Sequence, residues 1–160
     1  MTILPYQDPQ VIRKALTRKR IAIVGLSANP LRASNFVGRY MAFHGYDVVP
    51  VNPAEETILG RKSYPSLSAI PPEWPVDIVD VFRQASAVPQ IATEAVAIGA
   101  EFLWTQFGIV SEEGAAIARA GGLEVVMDRC LKVEHARYLG RMHWFGLNTG
   151  RISASRSAST

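Results

Sequence analysis

Five short apolar runs punctuate this chain: "IAIVG" (21–25), "DVVPVN" (47–52), "DIVDVF" (77–82), "EFLWTQ" (101–106) and "LEVVMD" (123–128). Amphipathic stretches separate most of them. Parallel strands need crossovers, and strands covered on both sides read as near-continuous Val/Ile runs, so the pattern predicts an α/β protein with a five-stranded, mainly parallel sheet and helices on both faces. The helices carry their own boundary signals. Asp8 and Pro9 open "DPQVIRKALTRK", with Val11, Ile12 and Leu16 on one face. Ser34 is expected to cap "NFVGRYMAFH", where Phe36, Tyr40 and Phe43 recur at helical spacing before Gly45. Pro89 begins "PQIATEAVAIG", Ser111 caps "EEGAAIARAG", and a last helix runs from about Leu131 through "KVEHARYL".

The segment from Pro53 to Trp74 breaks the rhythm. It is rich in proline, and a short strand is expected at "TILGRKSY" (57–64) and a turn of helix at "SLSAI" (66–70). After Gly146 the chain becomes serine-rich, which divides it into one domain over 1–146 and a flexible tail over 147–160. A length of 160 residues suffices for one core that buries roughly two thirds of the unfolded surface.

Charge excludes less than the pI of 9.2 suggests. Arg13, Lys14, Arg18, Lys19 and Arg20 cluster before the first strand, and residues 129–160 hold six basic residues against one acid. The excess sits at the ends, with no basic stripe interleaved with aromatics, so a nucleic-acid partner is not expected. No apolar run approaches a membrane span, and Pro5, Gln7 and Asp8 occupy the place of a signal peptide's apolar core. A cytoplasmic location without membrane association is the expectation.

In an open parallel sheet, ligands gather where the strands end. The loop "GLSANPLRAS" after the first run has a single glycine, Gly25, where a dinucleotide loop has GxGxxG. Ser27, Asn29 and Ser34 supply polar donors, a helix start supplies free amides, and Arg32 supplies a forked cation, which together make a diphosphate cradle. The second run ends in Asn52–Pro53, without the acid that holds an NAD ribose.

"VGLSANPLRAS", "VVPVNP", "ILGRKSYPSL", "VDIVDVFR", "LWTQFGI" and "VVMDRCLKVEH" resemble, in order and spacing, the small CoA-binding proteins and the N-terminal domain of the succinate-CoA ligase alpha subunit. The resemblance implies a Rossmann-like three-layer fold whose first loop holds the CoA diphosphate. It places Gly25, Ser27, Ala28, Asn29 and Arg32 in the phosphate loop and Asn52 and Pro53 near the adenosine. Phe82 and Arg83 fall along the middle of the ligand, and Thr105, Gln106 and Gly108 at the turn after the fourth strand. The ligases carry a lysine after the second strand where this chain has Glu55 and Glu56, which leaves Arg32, Arg61 or Lys62 to meet the 3'-phosphate. Phe82 and Trp104 are candidates to line an apolar trough for pantetheine.

No metal site is expected, since His44, His135 and His143 lack a paired second ligand. The resemblance places the ligases' phosphorylated histidine in a second domain outside the matched region, so their synthetase chemistry is not expected here. The expected function is therefore non-catalytic binding of CoA or acyl-CoA, with an acyl-CoA enzyme or a homodimer (through Trp144 and Phe145) as possible assemblies. Two alternatives stand beside it. One is an NAD(P)-binding oxidoreductase or nucleotide sensor, and the other is a thiol enzyme acting on CoA esters through Cys130, whose basic neighbours would lower its pKa.

Overall fold

A computed structural model describes residues 5–140. Its central sheet contains β1 (Arg20–Val24), β2 (Asp47–Val51), β5 (Ile78–Val81), β6 (Phe102–Thr105) and β7 (Glu124–Val126), all parallel, in the spatial order β2-β1-β5-β6-β7. Successive residues of a strand face opposite sides, which splits the core into two layers. Ala22, Val24, Val79, Val81 and Leu103 face α3 (Val88–Ala97) and α4 (Glu112–Ala120). Ile21, Ile23, Ile78, Phe102 and Trp104 face α1 (Pro9–Leu16), α2 (Ala33–Phe43) and α5 (Leu131–Tyr138). The doubly wound α/β architecture legible in the sequence is the one observed.

Asp8 caps α1 by accepting from the Gln10 amide, and Ser111 caps α4 by accepting from the Gly114 amide. The start of α2 differs from expectation. Arg32 occupies the cap position without a side-chain bond, and Ser34 is a buried residue of the first turn. The aromatic stripe also faces the other way: Phe36 and Phe43 are exposed, while Val37 and Met41 enter the core. Trp104, expected in a ligand trough, is fully buried and donates its indole N–H to the Arg129 carbonyl at 2.8 Å.

The proline-rich segment holds a hairpin instead of one strand, formed by β3 (Thr57–Ile58) and β4 (Arg61–Lys62), followed by one turn of 3-10 helix at Leu67–Ala69. Leu59 and Gly60 both have positive φ, the geometry of a two-residue primed turn. Tyr64 then lies along the outer side of β2: the Asn52 amide donates to its carbonyl, and its amide donates to the Pro50 carbonyl. On the opposite rim the Met127 amide donates to the Tyr6 carbonyl.

Several of the basic residues before β1 are paired with acids at the amino ends of the strands. Arg18 makes a two-pronged bond to Glu101, Lys14 reaches Glu124, and Arg20 lies 3.9 Å from Asp47. These charges sit at the sheet end opposite the loops discussed next. The tail over 147–160, together with His143, Trp144 and Phe145, lies outside the described residues.

Candidate functional site

The chain reverses its direction across the sheet between β1 and β5, so the loops leaving these two strands diverge and open a crevice at their carboxyl ends. Gly25 begins the first loop with φ +90°, its amide still donating to the Val51 carbonyl at 2.9 Å. A Cβ there would lie 2.9 Å from the Phe82 carbonyl oxygen and 3.1 Å from Arg83 Cδ. The loop therefore runs against the end of β5, and the Arg83 stem lies beside it.

The loop is braced from within. Ser27 donates its amide to Ser34 Oγ at 2.9 Å, Asn29 donates to Ser27 Oγ at 3.0 Å, and Leu31 donates to Asn29 Oδ1 at 2.9 Å. Asn35 Nδ2 holds the Ser27 carbonyl at 2.8 Å, and Arg39 in turn bonds Asn35 Oδ1 and the Pro30 carbonyl. In these contacts Ser27 and Ser34 act as acceptors, which leaves their hydroxyl hydrogens available as donors. In the first turn of α2 the Asn35 amide donates to the Arg32 carbonyl, while the Ala33 and Ser34 amides have no backbone acceptor among the described residues, and Arg32 is exposed at the cap. A braced loop with an exposed guanidinium and two free helix-start amides is suited to an anion.

Asn52 joins the second loop to the first. Its Nδ2 donates to the Leu26 carbonyl at 2.9 Å, and its Oδ1 accepts from the Ala54 amide at 2.8 Å. Beside this turn a cavity of about 500 Å³ is lined by residues that include Asn52, Pro53, Glu55, Glu56 and Lys62. A second cavity of about 220 Å³ adjoins it across Pro53 and Pro65 and reaches Val24, Val51 and Arg83. The two form a trough over the carboxyl ends of β2, β1 and β5.

Of the residues expected at the site, Asn52, Pro53 and Arg83 line these cavities, Gly25 abuts Phe82 and Arg83, Ser27, Asn29 and Ser34 interlock within the loop, and Ala28 and Arg32 are exposed on it. The turn after β6 is built differently. Thr105 and Gln106 are buried, with Thr105 Oγ1 donating to the Ile109 carbonyl and Gln106 Nε2 donating to Asp80 Oδ1 at 2.5 Å. Gly108 donates its amide to Asp128 Oδ1 at 2.7 Å. These side chains brace the turn from inside, while Phe107 beside them is exposed.

Asp80 escaped notice in the sequence. It is fully buried in mid-strand, in register between Ile23 and Trp104, and its Oδ2 has no hydrogen-bond partner. Burial pushes its carboxyl up to about 8, against the lowering effect of the Gln106 bond. Only its acidity inside a Val/Ile run signalled anything unusual.

Cys130 caps α5 and is half-buried. Burial raises its thiol pKa, outweighing the amides of Val133 and Lys132, so the lowered pKa expected from its basic neighbours is not found. Native alkylation with iodoacetamide at neutral pH should consequently be slower than alkylation of the unfolded chain; equal rates would refute this reading of the thiol. His135 is buried and bonded through Nδ1 to the Tyr40 hydroxyl at 2.9 Å, and burial holds it down at about 4. His44 ends α2, with its ring centroid 4.8 Å from that of His135. Among the described residues no three His, Cys, Asp or Glu side chains converge as metal ligands, and no helix is long and apolar enough to cross a membrane.

Residues 19–136 match the CoA binding domain. The chain belongs to that family. A curated relative, the uncharacterized protein YneT of Bacillus subtilis (strain 168), is 43% identical over 126 residues, covering 78% of this chain and 92% of YneT. Among solved structures, a hypothetical protein from Pyrococcus horikoshii OT3 is 39% identical with a TM-score of 0.82, covering 88% of this chain and 98% of that one. A dinucleotide-forming acetyl-coenzyme A synthetase of Ca. Korarchaeum cryptofilum, at 24% identity and TM-score 0.58, shares the fold over 67% of this chain and 25% of its own. Membership in the CoA-binding domain family supports CoA binding, and the residues at the crevice fit a ligand with a diphosphate. Gly25 lets the loop pack against the Phe82 carbonyl and the Arg83 stem, and Arg83 in turn lines the smaller cavity.

Proposed function

We propose that this CoA-binding domain holds CoA or an acyl-CoA without transforming it, presenting the ligand to an acyl-CoA enzyme. The observation that carries the reading is the crevice between β1 and β5, where a self-braced loop leaves Arg32 exposed and packs Gly25 beside Arg83. The diphosphate lies against Gly25 to Ser34, and the adenosine occupies the cavity at Asn52–Pro53. The pantetheine arm extends past Phe82 towards the turn at Gly108, where exposed Phe107 offers apolar surface. CoA supplies a thiol or thioester when bound; the protein's residues bind and orient it. Several groups suited to acid, base or nucleophile chemistry are withdrawn: Asp80 and His135 are buried, and Cys130 is held protonated by its surroundings.

An NAD reading lacks an acid at the very end of β2 to hold the ribose hydroxyls, since Asn52 occupies that position and spends its amide on the Leu26 carbonyl. Calorimetric titration with CoA, dephospho-CoA, NAD and NADP tests the proposal. CoA should bind in preference to either nicotinamide dinucleotide, and preference for NAD would overturn it. Arg32→Ala should weaken CoA binding by about 1–3 kcal/mol, the scale of a charge-assisted contact, with the melting temperature little changed. Unchanged affinity in that variant would remove Arg32 from the site.

A further inference from the structure

We infer that Lys62 is the residue that reads the 3'-phosphate of CoA; the inference rests on the CoA reading of the site. Three cations were open to this role, and the fold separates them. Arg32 belongs to the loop assigned to the diphosphate. Arg61 turns away, since its guanidinium donates to the Val48 carbonyl at 3.1 Å and lies 3.3 Å from Asp47 Oδ1, at the amino end of β2. Its neighbour Lys62 pairs with Thr57 across the hairpin, and these two line the 500 Å³ cavity together with Asn52 and Pro53. A nucleotide with its diphosphate at Gly25 and its sugar at Asn52–Pro53 carries its 3' position towards that hairpin.

The position of Lys62 is fixed by its neighbours. Ser63 Oγ donates to the Asn52 carbonyl at 3.0 Å, the Ser63 amide donates to the Glu56 carbonyl at 2.9 Å, and Tyr64 is bridged to Val51. The hairpin is therefore tied to the turn that receives the sugar. Glu55 and Glu56 line the same cavity and repel phosphate, so among the described residues Lys62 is the one lining cation to favour a dianion. Recognition through a single cation makes the preference for a 3'-phosphate depend on one side chain. Carboxylates around it sharpen that dependence, because a phosphate displaced from the lysine meets like charge.

The experiment is titration of the full chain, and of its Lys62→Gln and Arg61→Gln variants, with CoA and with dephospho-CoA. Wild type should prefer CoA by roughly tenfold, the factor that about 1.4 kcal/mol of contact energy gives. Lys62→Gln should bind CoA and dephospho-CoA alike, at the wild-type affinity for dephospho-CoA, while Arg61→Gln keeps the preference. Persistence of the preference in Lys62→Gln, its loss in Arg61→Gln alone, or equal binding of both ligands by wild type overturns the assignment of Lys62 while leaving CoA binding intact. Failure of wild type to bind either ligand overturns the reading beneath it.

Discussion

Asp80→Asn should stabilise the protein, and by an amount that grows as the pH rises from 4 to 8. The carboxyl is fully buried, and its folded-state pKa of about 8 stands far above the unfolded value near 3.8. Below the lower value both states hold the proton and Asp80 exacts no ionisation penalty. Between the two values the unfolded chain releases its proton while the folded chain keeps it, so stability falls with each pH unit until the folded group also ionises. At about 1.4 kcal/mol per unit, reduced for local relaxation, the loss by pH 8 is on the order of 2–5 kcal/mol.

Asparagine retains the shape and an oxygen to accept from Gln106 Nε2, and it does not titrate. His135 acts in the opposite sense. Its folded pKa of about 4 lies below the ordinary 6.5, so its contribution is complete above 6.5 and is lost as pH falls through 4. That background is shared by both proteins and cancels in their difference. Urea denaturation of wild type and Asp80→Asn at pH 5, 6, 7 and 8 should give a stability difference that widens steadily; a constant difference would show that Asp80 ionises normally in the folded state.

Gly25→Ala should cost about 2–6 kcal/mol of folding stability and abolish measurable CoA binding. A left-handed backbone held by a residue with a Cβ costs about 1–3 kcal/mol, and forcing an atom into packed surroundings adds about 1–3 kcal/mol. Here the obstruction is backbone, the Phe82 carbonyl oxygen at 2.9 Å, which has no rotamer to adopt. Gly45 provides the control, because its φ of +89° is nearly the same yet a Cβ there meets nothing within 4 Å. Gly45→Ala should therefore carry the conformational cost alone. Equal losses in the two variants, measured by chemical denaturation, would mean that the β1 loop does not press on the end of β5.

The sheet was legible because buried parallel strands announce themselves by Val/Ile content, and the caps at Asp8 and Ser111 were legible because their bonds are local. The face of α2 was not. Phe36, Tyr40 and Phe43 have the spacing of a core stripe, but the first turn buries Ser34 and Asn35, whose side chains brace the loop before it, and that fixes the helix rotation on Val37 and Met41. The hairpin was read as one strand because two-residue strands have no period and its turn carries Leu59 instead of asparagine. The bracing of the first loop by Ser27, Asn29 and Ser34 lies within ten residues of sequence. The inward commitment of Thr105 and Gln106 was not legible, because it depends on Asp80 and Ile109, which only the fold brings to them.

The treatment of the sheet's two rims bears on self-association. Proline at position 50 has no amide hydrogen, and its carbonyl is already taken by Tyr64; β7 is three residues long, ends against Tyr6 and carries the Lys14–Glu124 ion pair. An incoming strand from another copy finds little free backbone to template on, so growth of a continuous intermolecular ladder is blocked at both borders. Concentrated solutions of the folded protein should resist conversion to fibrils, with the occupied main chain of the two borders as the main source of that resistance.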